Sequence, residues 1–355
     1  MVKGGDKRGV EDGHPAIPPT GASPGRTGAV SFDWRSALLA MPAIALLLGG
    51  GLLGSDILSA SILAGSAFSV GFTASREVAG RRWAMPVLTT VAMTLAAFSG
   101  TLAGRQPIPE LVLVSLAGGA TGALATRNMT YWWIGLQATI ALVVAAHFAG
   151  DTAAAMHRAV LVGAGGAVQG ALLLAAMRLF GAPALVAPAP ATPAPWRDTG
   201  LHGLRAAVCV GGALAAAHAF GLSHAYWAPT TALIVLKPGL RDTGWRGLER
   251  LAGTTAGLVL ATGFALMFAG QPWLLAATVV LAAGAAFGLQ RARYAVLTSA
   301  ITVTALMLTV LAGAPVLSTD VDRLAATLLG GAVALLGAGL APRRLPWRRS
   351  ADDRA

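Results

Sequence analysis

The sequence predicts an all-α, polytopic membrane protein of about 12 transmembrane helices in two parallel six-helix repeats. Three observations carry that expectation. Of 355 residues, 55% are hydrophobic and only 12% charged, about half the roughly 25% charged fraction of a soluble globular domain. Mean hydropathy is +0.67, which sets aside the nucleic-acid binder that a formal charge of +11 would otherwise suggest. Apolar runs near the ~20-residue length of a bilayer crossing recur along the chain.

Residues 1–32, rich in Gly, Pro, Ser and charge, read as a disordered cytoplasmic tail. No apolar stretch begins before Ala37 and no cleavage site is apparent, so the first span is expected to act as an uncleaved anchor. A first repeat, 33–181, carries candidate spans at 36–53, 57–74, 84–103, 110–126, 131–149 and 159–180. Residues 182–198 alternate Ala and Pro, an extended and semi-rigid cytoplasmic linker. A second repeat, 199–342, carries spans at 203–222, 225–237, 249–269, 272–289, 294–313 and 323–341. Residues 57–74 and 225–237 are the short or interrupted ones, and a re-entrant segment would reduce the count to ten or eleven. Residues 343–355 form a basic cytoplasmic tail.

Charge sets the orientation. With both termini cytoplasmic, about 23 Lys and Arg fall inside and about 3, Arg105, Arg158 and Arg323, fall outside. The net charge then divides into about +13 inside and about −2 outside, which fits a multi-pass protein of the cell inner (plasma) membrane. The repeat rests on an offset of about 165 positions that pairs Arg76 with Arg241, Arg81 with Arg246, Thr89-Thr90 with Thr254-Thr255 and Arg158 with Arg323. Six spans per half preserve orientation, so the repeats are expected to be parallel, with a site at their seam.

Candidate binding residues gather between Tyr226 and Gly257. Trp227 offers an aromatic face, and Thr230 and Thr231 offer hydroxyls. Lys237, Arg241, Arg246 and Arg250 supply cations, the last two spaced i, i+4 on one helix face. Guanidinium groups bind carboxylates bidentately; the competing reading is that these basic residues follow the positive-inside bias and touch lipid phosphates. Pro229 removes a backbone donor and loosens its helix, a gating candidate. His147, His218, Asp322 and Arg323 are the other gating or coupling candidates, His because it titrates near physiological pH; interfacial solvation of the histidines, and an ion pair within the cluster of Asp320, Asp322 and Arg323 that holds the last helix, are the plainer alternatives. Gln137 and Gln169 read as interhelical hydrogen-bond partners, and Gly253 with Gly257 as a close-packing pair.

Tyr226-Trp227-Ala228-Pro229, Lys237-Pro238 and Arg246…Arg250-Leu-Ala-Gly253-Thr254-Thr-Ala-Gly257, with Asp322-Arg323…Gly330, resemble the fusaric acid resistance protein-like (FUSC) family, related to aromatic acid exporters. The resemblance covers roughly 200–342 and is weak over 34–180. It implies an integral membrane transporter that exports aromatic carboxylic acids or related organic anions. Large members carry soluble cytoplasmic domains after each membrane half; the short linker and tail here imply a membrane-only version.

No HExxH, GxSxG or Walker motif is present, so no enzyme, catalytic residue or cofactor is expected. A lone cysteine, Cys209, leaves no disulfide or Cys/His metal framework. Expected partners are the lipid bilayer and a small organic anion, with no nucleic acid; small-residue faces also suit a homodimer. Secondary transport, with proton coupling as an option, leads the functional readings. An organic-anion channel and a non-transporting membrane partner of an envelope complex are the alternatives.

Overall fold

In the computed structural model, residues 32–186, 193–237 and 240–340 are described. The N-terminal tail up to residue 31, the linker centre at 187–192, Pro238-Gly239 and the basic C-terminal tail lie outside them. The chain forms twelve α-helices: α1 (Trp34–Leu53), α2 (Ile57–Gly71), α3 (Ala84–Ala103), α4 (Pro107–Ala125), α5 (Met129–His147), α6 (Thr152–Phe180), α7 (Trp196–Ala219), α8 (Trp227–Val235), α9 (Leu240–Met267), α10 (Pro272–Gly288), α11 (Tyr294–Leu311) and α12 (Val316–Gly339). A 3-10 turn, Phe72–Ser75, prolongs α2. The described residues hold no β-strand beyond one isolated bridge, Val78 to Arg81.

Local chemistry sets the helix ends. Asp33, Asp56, Asn128 and Asp151 cap α1, α2, α5 and α6 by accepting from backbone N–H groups of the first turn. Gln106-Pro107 and Gln271-Pro272 open α4 and α10 in the same way, with proline where a missing N–H costs nothing.

Ten helices are long and apolar enough to cross a membrane. Helix α10, with 17 residues, is a little shorter, and the nine residues of α8 reach only about 14 Å. The expected span 225–237 is therefore not a full crossing. Proline at 229 has no N–H to bond to Ala225, so the helix does not extend further toward Leu222. Helices α6, α7 and α9 start earlier than expected, because polar first turns continue the apolar runs. Arg241, Arg246 and Arg250 consequently ride on α9, and Arg158 and Arg323 lie inside α6 and α12, roughly two turns from their starts.

Packing follows one scheme twice. Helix α3 packs on α5 and α6, α6 on α1 and α2, α1 on α2, and α4 on α5; α9 packs on α11 and α12, α12 on α7 and α8, α7 on α8, and α10 on α11. Across the chain midpoint, α4 lies against α7 and α10 against α1, while α5 meets α8 and α11 meets α2. Glycine makes the tightest of these contacts feasible: a Cβ at Gly165 of α6 would strike the Leu63 carbonyl, and one at Gly330 of α12 the Ala228 carbonyl.

The main apolar cores each mix the two sequence halves. One joins α1, α2 and the end of α6 to α9, α10 and α11, around Ile44, Phe68, Leu173, Phe287 and Met307. The other joins α3, α4 and α5 to α7, α8 and α12, around Val114, Leu136, Leu214, Leu233 and Ala326. Trp133 packs against both. Gln169 fits its expected role, donating to the Ala40 carbonyl of α1 at 2.9 Å.

Several arginines hold the end of α6 and the linker that follows it. Arg35 donates to Phe180 O, Arg82 to Pro183 O, Arg291 to Ala184 O and Arg127 to Ala194 O, over 2.7–3.1 Å. Arg127 also stacks on Trp196, 3.7 Å from the ring centroid.

Two expected outcomes follow from this fold. Gly257→Leu forces α9 off α11, since even a Cβ there would lie 2.6 Å from Thr302 Cβ and 2.7 Å from Ser299 O; overpacking of this kind costs about 1–3 kcal/mol. Thermal unfolding in detergent should show a lowered midpoint, whereas Gly263→Leu, with open space around it, should leave it unchanged. For orientation, cysteines placed at the exposed Arg105 and Gln271 should react with impermeant maleimide from outside intact cells. Cysteines at the exposed Arg81 and Arg293 should react only after permeabilisation, and Cys209, 3% exposed, stays silent throughout. Reversed labelling would invert the topology.

Candidate functional site

Arginine inside an apolar bundle is the feature to explain. Arg323 of α12 is 2% exposed and Arg250 of α9 is 5% exposed. The Arg323 guanidinium lies over the Trp227 ring, 3.6 Å from its centroid, and donates to Thr302 Oγ1 at 3.3 Å. Arg250 donates to the Tyr294 hydroxyl at 3.3 Å, and Arg246, one turn earlier on the same face, covers the Tyr294 ring at 3.2 Å. Arg323 Nη1, Arg250 Nε and Arg246 Nε are buried and have no hydrogen-bond partner among the described residues. None of the three forms an ion pair there either. Asp320, whose charge reaches Arg323, is held by a hydrogen bond from Thr262. The charges of Arg250 and Arg323 instead repel one another.

Threonines add further unpaired donors. Thr231 of α8, Thr254 of α9 and Thr298 of α11 each keep a buried hydroxyl without a partner. Thr254 follows Arg250 by one turn, and Tyr294, Thr298 and Thr302 form one stripe along α11. The site thus draws on α9 and α11 from one mixed core and on α8 and α12 from the other. It lies along the boundary between the cores and wholly within the second half, whereas the sequence predicts a site at the seam between the two six-helix halves. The corresponding helices of the first half, α2, α3, α5 and α6, close instead around an apolar cluster of Val70, Met93, Ala97, Ala145 and Val162.

The structure sorts the expected residues. Trp227, Arg246, Arg250 and Arg323 come together through Tyr294 and Thr302 of α11, whereas Thr231 lies against Gly330, further along α12. Thr230 is spent on a hydrogen bond to Tyr226 O at 2.8 Å, and Arg241 is exposed at the start of α9. Pro229 sits in the first turn of α8, where it breaks no bond and sets the helix start; it does not loosen a helix interior. Asp322 does not pair with Arg323: its carboxylate meets His224 Nδ1 at 3.1 Å, because neighbouring residues on a helix point about 100° apart. His147 joins that outer group, its ring 5.7 Å from His224 and 4.9 Å from Tyr226, while His218 is exposed at the end of α7. Lys237 leaves this group for α5, its amine 5.1 Å from the Trp132 ring centroid. His224, Tyr294, Thr298 and Thr302 were not singled out in the sequence; the one-turn spacing of the last three within an apolar helix was the available signal.

No group of three His, Cys, Asp or Glu side chains able to hold a metal occurs among the described residues. The chemistry on offer is guanidinium and hydroxyl donors beside indole and phenol faces, a set suited to an anion carrying a ring.

Comparison with known proteins agrees in placement. Residues 212–337 match the family described as fusaric acid resistance protein-like. An uncharacterized protein of Synechocystis sp. is 36% identical over 137 residues, covering 38% of this chain and 18% of that protein. The chain therefore matches less than a fifth of that relative's length. No solved structure matches. The matched segment holds each side chain gathered around Arg250 and Arg323, and over residues 212–337 the chain is similar to the fusaric acid resistance protein-like family.

Proposed function

We propose that this protein is a secondary membrane transporter that exports organic anions, aromatic carboxylates foremost, across the cell inner membrane, with both termini in the cytoplasm. One observation carries the reading: Arg323 and Arg250 are buried between apolar helices with donors left over and no paired carboxylate. An uncompensated buried guanidinium costs several kcal/mol, and intramembrane arginines mark substrate paths. A carboxylate supplies the missing charge and acceptors, and Trp227 beside Arg323 and Tyr294 beside Arg246 are the aromatic faces available to its ring. The family match and ten crossing-length helices support membrane transport. The paired packing of α1–α6 and α7–α12 supports two related halves of parallel orientation.

The test is uptake of labelled benzoate into everted membrane vesicles. Arg323→Gln and Arg250→Gln should each lower the rate about tenfold or more at normal abundance, the loss expected for one charge-assisted contact. Arg323→Lys should recover little, because an ammonium lacks the planar fork that both stacks on Trp227 and reaches Thr302. Arg241→Gln should transport normally. Wild-type rates in both Gln variants would refute the assignment, and unitary currents in planar bilayers would replace a carrier by a channel.

A further inference from the structure

The cytoplasmic ends of two interrupted helices meet at one pair of tryptophans. Where the 3-10 turn after α2 ends, Arg76 places its guanidinium 4.0 Å from the Trp133 ring centroid. Where α8 ends, Lys237 reaches Trp132 from the other side. The two indoles are consecutive on the first turn of α5, with centroids 6.2 Å apart. They stand where the two mixed cores adjoin, since Trp133 packs against both. A cation from each sequence half therefore flanks an aromatic pair on the same boundary that holds Arg250 and Arg323 deeper in the bundle.

The donors here are unspent. Arg76 Nε and Trp133 Nε1 are buried without a partner, and so are His202 Nδ1 and Arg205 Nη1 on α7. His202 is 4% exposed and lies within electrostatic reach of Lys237 and Arg205. Asp242 is the acidic residue whose charge acts on Lys237. Other cytoplasmic arginines contrast sharply: Arg82, Arg127 and Arg291 each donate to linker carbonyls, whereas Arg76 stacks and keeps a free N–H. Burial holds the Arg76 guanidinium down to about 10, still fully charged at neutral pH.

We propose that Arg76, Trp132, Trp133 and Lys237 form a separate cytoplasmic collecting site for an aromatic carboxylate. The ring lies against the indole pair, the carboxylate accepts from Arg76 and the Trp133 N–H, and Lys237 beside Trp132 adds positive charge to the site. The proposal rests on the transport reading for the class of anion, but its own test does not need transport.

Calorimetric titration of the detergent-purified protein with benzoate reads the site directly. Benzoate should bind saturably, and Arg76→Gln and Trp133→Leu should each weaken binding roughly fivefold or more. Arg76→Lys should restore part of it, and cyclohexanecarboxylate, which has the charge without the flat ring, should bind more weakly than benzoate. Inorganic phosphate should not compete; competition would make the site one for phosphate groups and overturn the proposal. In an Arg323→Gln background, where the deeper anion site is weakened, saturable benzoate binding should remain and should still be reduced by Arg76→Gln. Binding left unchanged by both Arg76→Gln and Trp133→Leu, or no saturable binding by the wild type, overturns it. If binding behaves as stated while vesicles carry no benzoate, the transport reading fails and the collecting site stands.

Discussion

The structure turns on a guanidinium held out of water. Arg323 on Trp227 exists because α8 is cut short: with Pro229 fixing its start, the helix delivers an indole to the bundle interior rather than to a membrane surface. Cation–π attraction of about 2 kcal/mol for a desolvated pair offsets only part of the several kcal/mol that burial costs. Thr302 accepts one donor, and another remains free. The rest of the site follows from this incomplete compensation. Arg250 adds charge of the same sign nearby, which makes the empty site less stable and an anion there more favourable.

Symmetric packing makes the asymmetry of content informative. Gly165 against Leu63 and Gly330 against Ala228 are equivalent close approaches, so the backbones of α2–α6 and α8–α12 meet alike. About 165 positions before Arg250, Trp227 and Thr302 stand Met85, Ile62 and Gln137. Arg158, at the place of Arg323, turns to Phe148 at 4.7 Å instead of an enclosed indole. One boundary between the cores is sealed by apolar side chains; the other is lined by cations, hydroxyls and aromatic rings.

Much of the fold was legible because membrane crossing imposes a length and an apolarity that composition alone reveals. Twelve helices stand near the twelve expected runs, and the Ala/Pro linker between α6 and α7 follows from residues that cannot continue a helix. What escaped was set by partners distant in sequence. Residues 225–237 read as a short span with a loosened helix at Pro229, because sequence alone does not tell a proline inside a helix from one in its first turn. Asp320, Asp322 and Arg323 read as one ion-paired cluster because they are close in sequence, yet on α12 Asp322 meets His224, Asp320 accepts from Thr262 and Arg323 turns to Trp227. Arg246 and Arg250 were found from their spacing; Tyr294, which both of them touch, lies on α11 and carries no charge to draw notice.

The mixed cores also change which parts of the molecule can move. Separating α1–α6 from α7–α12 would tear α1 from α10 and α4 from α7, and with them the apolar clusters built around Leu173 with Phe287 and around Val114 with Val210. Sliding one core against the other keeps those contacts and disturbs chiefly α3 with α6 and α9 with α12. The second set includes the Arg250–Arg323 enclosure, whose threonines and arginines hold few bonds across the boundary. Trp133, packed on both cores, is the hinge-like contact at the cytoplasmic end. The unpaired donors that favour an anion are therefore also the reason this boundary is the easier one to open: an interface with unsatisfied polar groups loses less on separation than one closed by Val70, Met93 and Val162.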